Sequence, residues 1–244
     1  MCRVAPTVLF IRNEHLATEA MLGEAFTECG FDVRTFDVVP AERVDEPNVE
    51  VTFPDPADYD VIVPLGARWA VYDDTLRRGW VGAEMQLVRD AATAGVPALG
   101  VCFGGQLIAQ ALGGTVARSE APELGWYDVM SDDDELVPGG KWFQWHFDRW
   151  TALPPGATEL ARTANSSQAF LIGTSLALQF HPELDIATLE GWLSADGDDD
   201  VGALGLTADE LRSATAELLP DAAERIRRLV RGFTARVVRQ PCPS

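Results

Sequence analysis

Lysine is nearly absent from this chain. Lys141 is the only one, against eighteen arginines and 38 acidic residues, and the formal net charge is −19. So acidic a balance speaks against nucleic acid or an anionic membrane as a partner, since both are met by basic side chains. Arginine without lysine suits a GC-rich genome, and the acidity is compatible with a salty cytoplasm. Cysteine is scarce too: Cys2, Cys29, Cys102 and Cys242 lie far apart with no CxxC pair. That argues against a disulfide framework or a zinc site and for a reducing cytosol. With three histidines in all (His15, His146, His181), no metal site is expected. No run of about 18 apolar residues occurs, so no membrane-spanning helix is expected. The opening "MCRVAPTVLFIRNEH" lacks the apolar stretch and cleavage site of a signal peptide and reads as a first buried strand, placing the protein in the cytoplasm. Neither a GxxxxGK[ST] phosphate loop nor a G-x-G-x-x-G turn is present, so no cofactor and no ATP-driven chemistry are expected of the chain itself.

What is there is a core-forming composition, 47% hydrophobic over 244 residues, enough for one domain spanning 1–244. "VAPTVLFI" (Val4–Ile11), "FDVRTFDVV", "YDVIVPLG" and "VPALGVC" read as strands. They alternate with helices: "LATEAMLGEAFTECG" stopped at Gly30, "GAEMQLVRDAATAG" closed by Gly95, and "GGQLIAQALGG". Strands alternating with helices predict right-handed crossovers and an α/β fold of three layers, α/β/α, around a mostly parallel central sheet. After Gly114 the short runs "GGTVARS", "LGWYDVM", "KWFQWHF", "QAFLIG" and "SLALQFHPE" predict antiparallel strands added at an edge. "LDIATLEGWLS", "TADELRSATAELL" and "DAAERIRRLVRGFTARVV" read as helices, the last two forming a C-terminal extension over about 205–238, with "ADGDDDVGALG" before them as a solvated loop.

Chemistry concentrates in "LGVCFGGQLIAQ". An apolar strand, Gly-Val-Cys-Phe-Gly and a helix form the thiol version of a nucleophile elbow. Gly100 and Gly104 would let backbones approach closely around Cys102. The helix start favours a thiolate there, and the Phe103 N–H can face a carbonyl oxygen under attack as half of an oxyanion hole. Alone, the stretch leaves packing and attack both open, because free cysteine is a commonly buried residue. "LALQFHPE" decides between them. His181 and Glu183 stand two apart around Pro182 at a strand end, so they can point the same way as a base and its orienting acid.

"GVCFGGQ" followed by "LQFHPE", with "LPPGATELARTANSSQAFLIG" between and "VYDD" earlier, after the third strand, resembles the class I (triad) glutamine amidotransferases. The likeness is to the free-standing branch similar to the GMP synthase glutaminase domain, over roughly Val4 to Leu193. The resemblance implies that family's flavodoxin-like fold and hydrolysis of the glutamine γ-amide through a γ-glutamyl thioester. Cys102 is then nucleophile, His181 base and acid, Glu183 its orienting partner and Gln106 a substrate contact. Released ammonia passes to a separate ATP-dependent synthetase or another acceptor. The chain departs from the family's Gly-Gly pair after the third strand: in "PLGARWAVYDD", Gly66 matches the first glycine and Ala67 the second as source of the other oxyanion N–H, with Arg68 and Trp69 following. A γ-glutamyl peptidase acting on a larger γ-glutamyl amide uses the same triad, and a catalytically silent regulatory protein is a third reading. "KWFQWHFDRW" has aromatics beyond ordinary need. His146 there, and Trp126 in "ELGWYD", are candidate substrate contacts or a rim for an acceptor or synthetase; the alternative is packing into the core. Glu123 and Gly125 match a family element near the substrate α-carbon.

Overall fold

The computed structural model of the chain describes residues 5–237, and in residues 196–199 the backbone only. Cys2, Val4 and Cys242 lie outside the described residues. Nine strands form one sheet in the order β2-β1-β3-β4-β9-β8-β7-β5-β6. Five of them run parallel: β2 (Asp32–Val39), β1 (Thr7–Glu14), β3 (Val61–Pro64), β4 (Ala98–Val101) and β9 (Ser175–Leu178). β8 (Ser167–Ile172), β7 (Thr158–Arg162), β5 (Thr115–Ser131) and β6 (Gly140–Ala152) continue it antiparallel.

The three middle strands β3, β4 and β9 are buried along their whole length, as strands covered on both faces must be. β1 shows how the layers divide. Val8 and Phe10 join one core with α1 (Ala20–Glu28), while Leu9 and Ile11 join another with α3 (Trp80–Ala94) and α4 (Phe103–Ala111). Gly95 closes α3 in the left-handed region that its place in the sequence predicts. α2 (Asp74–Arg77) is a single turn before α3, capped by the Asp73 carboxylate.

The first strand begins three residues later than the pattern suggests and runs on to Glu14, because Arg12 and Glu14 keep pairing with Asp37 and Val39 of β2. "GGTVARS" and "LGWYDVM" belong to one strand, β5, with a register shift between Arg118 and Glu123. β7 has no counterpart in the sequence pattern. The acidic stretch expected as a loop contains the helix α6 (Asp198–Ala203), held by buried Val201 among Leu124, Phe143 and Leu189, the last on α5 (Ile186–Trp192). The two C-terminal helices are one, α7 (Ala208–Val237), despite Pro220. Proline removes the bond to the Ala216 carbonyl, but buried Leu211 and Thr215 before it and Ala222 and Ile226 after it hold both halves down. α7 is no appendage: Ile226, Leu229, Val230 and Phe233 share the core of α1, and Phe233 meets Phe26 edge to face. Among the described residues no helix is long and apolar enough to cross a membrane.

Candidate active site

Cys102 sits between β4 and α4 with φ 51° and ψ −108°, a conformation L-residues rarely adopt. Its surroundings hold it there. A Cβ on Gly100 would stand 2.5 Å from the Gly104 oxygen, and one on Gly104 2.0 Å from the Pro64 oxygen. One on Gly105 would stand 2.5 Å from the Leu178 oxygen, so the start of α4 is wedged between β3 and β9. The Cys102 N–H donates to the Leu178 carbonyl at 2.8 Å. The sulfur lies 3.9 Å from the Trp145 carbonyl and receives the Gln179 amide at 3.7 Å.

His181 follows β9, and its N–H donates to the Phe143 carbonyl of β6 at 2.9 Å. Its Nδ1 donates to the Glu183 carboxylate at 2.7 Å. That bond leaves Nε2 as the nitrogen that can exchange a proton, and Nε2 is buried. Trp192 of α5 packs edge-on against the ring, 4.8 Å between centres. A Cβ on Gly66 would stand 3.3 Å from His181 Cε1 and 3.9 Å from Cys102 Cβ, so the loop after β3 passes beside both side chains where a larger residue would crowd the imidazole. Burial opposes a charged imidazole. Even so, the Glu183 carboxylate and the Cys102 sulfur raise the His181 pKa well above its ordinary value.

These groups line a cavity of about 200 Å³ together with Gly66, Ala67, Gln106 and His146. Gln106 is anchored through Nε2 to the Asp148 carbonyl at 3.2 Å and to Gln179 at 3.3 Å. His146 reaches the cavity wall with both ring nitrogens engaged, by the Asp148 carbonyl and the Glu123 carboxylate, each at 3.0 Å. Burial disfavours charge on Glu123, but hydrogen bonds from His146, Thr163 and Ser166 outweigh it and hold its pKa below the usual carboxylate value. His146 and Glu123 thus form a buried, hydrogen-bonded pair at the cavity wall. Within "KWFQWHFDRW", Trp145 and Phe147 face the cavity, whereas Trp142, Phe143 and Trp150 are core. Asp200 receives the Trp145 indole N–H at 3.2 Å.

Trp126 is elsewhere. It packs on Phe143 and donates its indole N–H to Thr215 of α7 at 2.9 Å, pinning the last helix to β5. Thr215→Val keeps the shape and removes the acceptor; a fall in stability of about 1 kcal/mol is expected in urea unfolding, with catalysis unmoved. Trp192, Gln179 and the Trp145 carbonyl had no sequence signal as neighbours of Cys102 and His181. Among the described residues, no cluster of three or more His, Cys, Asp or Glu is placed to hold a metal ion.

A family model described as glutamine amidotransferase class-I matches residues 21–191. A glutamine-hydrolyzing GMP synthase of Thermomicrobium roseum is 43% identical over 96 residues, 37% of this chain and 18% of that protein. One subunit of the glutamine-hydrolyzing GMP synthase of Sulfurisphaera tokodaii is 30% identical over 135 residues, 52% of this chain and 69% of that protein. The chain thus spans about a fifth of the full-length GMP synthases it matches. The crystal structure of a glutamine amidotransferase from Thermotoga maritima superposes with TM-score 0.79 at 25% identity, over 95% of this chain and 99% of that one. A second, from Methylobacillus flagellatus, gives TM-score 0.82 at 19% identity over 98% of each and speaks for the fold alone.

Proposed function

Since the chain belongs to the class I glutamine amidotransferase family, we propose that it hydrolyses the γ-amide of glutamine through a thioester on Cys102. The observation that carries this is the convergence of three groups at one cavity: the strained Cys102, the His181–Glu183 pair, and Gly66, which lines the same cavity with no room for a side chain against His181. In this reading the Cys102 thiol passes its proton to His181, the sulfur adds to the γ-carbonyl carbon, and the carbonyl electrons move onto oxygen. The Phe103 N–H and an N–H of the Gly66–Ala67 loop receive that oxyanion. Collapse breaks the C–N bond, with the His181 imidazolium giving its proton to the departing ammonia. Water, deprotonated by His181, then adds to the thioester; glutamate leaves and the thiol re-forms. Glu183 orients the imidazole, Gln106 contacts the substrate from its anchored position, and the ammonia goes to a separate ATP-dependent synthetase.

Incubation with diazo-oxo-norleucine, a glutamine-like electrophile, should label Cys102 and no other cysteine in peptide mapping; label on Cys29, or none, overturns the assignment. A second reading, a γ-glutamyl peptidase acting on larger amides, is favoured by Arg118. It lines the cavity, stacks on Phe147 at 4.7 Å from the ring centre, and makes no ion pair among the described residues. It can therefore meet an acidic leaving amine. Tenfold or greater preference for γ-glutamyl dipeptides over glutamine, measured as amine release, selects that reading.

The pH profile tests the His181 assignment. A folded pKa raised above the ordinary 6.5 means that the stabilisation of charged His181 is complete below 6.5 and is lost as pH rises through the folded value. The same proton is the general acid, so the alkaline limb of kcat/KM reports it. Glu183→Gln removes the first of the groups that raise it. The alkaline limb is expected to move to lower pH, with kcat reduced on the order of 10²-fold.

A further inference from the structure

A run of buried amides leads to the Cys102 sulfur, and hydrogen-bond chemistry fixes which way each amide points. The oxygen and nitrogen of a glutamine side chain are alike in shape, so their partners decide between them. The run starts at the Asp148 carbonyl of β6, an oxygen that can only accept. Gln106, near the start of α4, meets it at 3.2 Å, so the atom there is the Gln106 nitrogen. The same nitrogen lies 3.3 Å from Gln179, where its second hydrogen takes the Gln179 oxygen as acceptor. The Gln179 nitrogen is thereby turned to the Cys102 sulfur, 3.7 Å away, and has a hydrogen to give it.

Gln179 is held where it stands. It is fully buried just past β9, and its backbone N–H donates to the Gln168 carbonyl at 2.9 Å. The carbonyl of the preceding residue, Leu178, receives the Cys102 N–H at 2.8 Å. Residues 178 and 179 therefore grip Cys102 by its backbone and by its sulfur. Burying an amide is costly unless hydrogen bonds replace water, and a thiol sulfur is a weak acceptor. A neutral thiol thus makes poor use of the Gln179 donor. A thiolate makes good use of it, because hydrogen bonds to a charged acceptor are about twice as strong. The Trp145 carbonyl, 3.9 Å from the sulfur, works the other way: it accepts an S–H and repels a thiolate. Of these two contacts only Gln179 favours the charged form.

We propose that Gln179 is a catalytic residue that donates its side-chain N–H to the Cys102 sulfur and favours thiolate over thiol, with Gln106 as the residue that orients it. On the thioester route the sulfur carries negative charge twice. It does so when the thiol has passed its proton to His181 before attack. It does so again when the C–S bond breaks and the electron pair returns to sulfur, before His181 gives the proton back. One donor serves both moments. Its part in these steps rests on the thioester reading; its action on the free thiolate does not.

The full chain, Gln179→Leu and Gln179→Met are compared at pH 7 by three measurements. These are thiolate absorbance at 240 nm with the Cys102→Ala spectrum subtracted, alkylation of Cys102 by iodoacetamide, and glutamine hydrolysis. Both variants lack the donor. Methionine keeps the unbranched shape and offers Gln106 a thioether acceptor, so it carries the test should the leucine variant fail to fold in urea unfolding. Thiolate absorbance and alkylation rate should each fall by about tenfold, and kcat by about tenfold or more with KM little changed. A fall in kcat with wild-type absorbance and alkylation would mark a merely structural role and overturn the proposal. Wild-type kcat in a folded variant overturns it too. A wild type that hydrolyses no γ-glutamyl amide sinks the thioester reading instead, and absorbance and alkylation then decide alone whether Gln179 acts on the sulfur.

Discussion

Cys102→Ala is expected to reduce hydrolysis of glutamine on the order of 10⁵-fold while leaving a folded protein. The loss is large because the sulfur is the only atom of the enzyme in the proposed sequence that bonds to substrate carbon, and among the described residues no other cysteine lines the cavity. The fold survives because alanine meets the same φ of 51° that cysteine already endures, and a side chain this small leaves little space behind. The strain makes a sharper companion test. Glycine occupies positive φ without a Cβ clash, so Cys102→Gly is expected to be as inactive as the alanine variant yet more stable by about 1 kcal/mol. Thermal melts and ammonia release on the three proteins check both halves. A Cys102→Gly protein less stable than Cys102→Ala would mean that the elbow is relaxed and that its backbone shape serves no chemistry.

The elbow was legible because everything that defines it is local. A buried strand, small residues at 100 and 104 and an apolar helix lie within a dozen positions, and the close approaches of Gly100 and Gly104 are those the spacing demands. His181 and Glu183 were legible for the same reason, two residues at a strand end around a proline. What surrounds them was not. Trp192 meets His181 only because α5 folds back over the site, and Gln179 reaches the sulfur because β9, distant in sequence, pairs directly with β4. Glu84 stands in a helix whose pattern reads as amphipathic; tertiary packing, which no period of 3.6 records, buries it. Trp126 misled in the opposite way. Its place in "ELGWYD" offered a substrate contact or rim as well as core packing, and α7 supplies its partner from 89 residues away. Pro220 likewise suggested two helices, since local propensity cannot see the core that holds one.

Gly104→Ala should be the most damaging single methyl group in the molecule. Its Cβ would stand 2.0 Å from the Pro64 oxygen, 2.5 Å from the Pro64 carbonyl carbon and 2.9 Å from its Cβ. Flexible side chains can swing away from such a clash, but this one is with the backbone of β3, itself fixed between β1 and β4. The helix cannot retreat either, because Gly105 already lies against Leu178 on the other side. A loss of more than about 4 kcal/mol is expected, enough to unfold most of the protein at 37 °C. Gly202→Ala in α6 is the control: no heavy atom lies within 4 Å of the added carbon, and little change is expected. The contact also ties stability to chemistry, because Pro64 is two residues from Gly66. Any shift that relieves the clash moves the Gly66–Ala67 loop relative to Cys102. The fraction of Gly104→Ala that remains folded in the cold should therefore hydrolyse glutamine more slowly per folded molecule by about tenfold or more. Full specific activity in that folded fraction would show that the spacing of β3 and α4 does not set the oxyanion geometry.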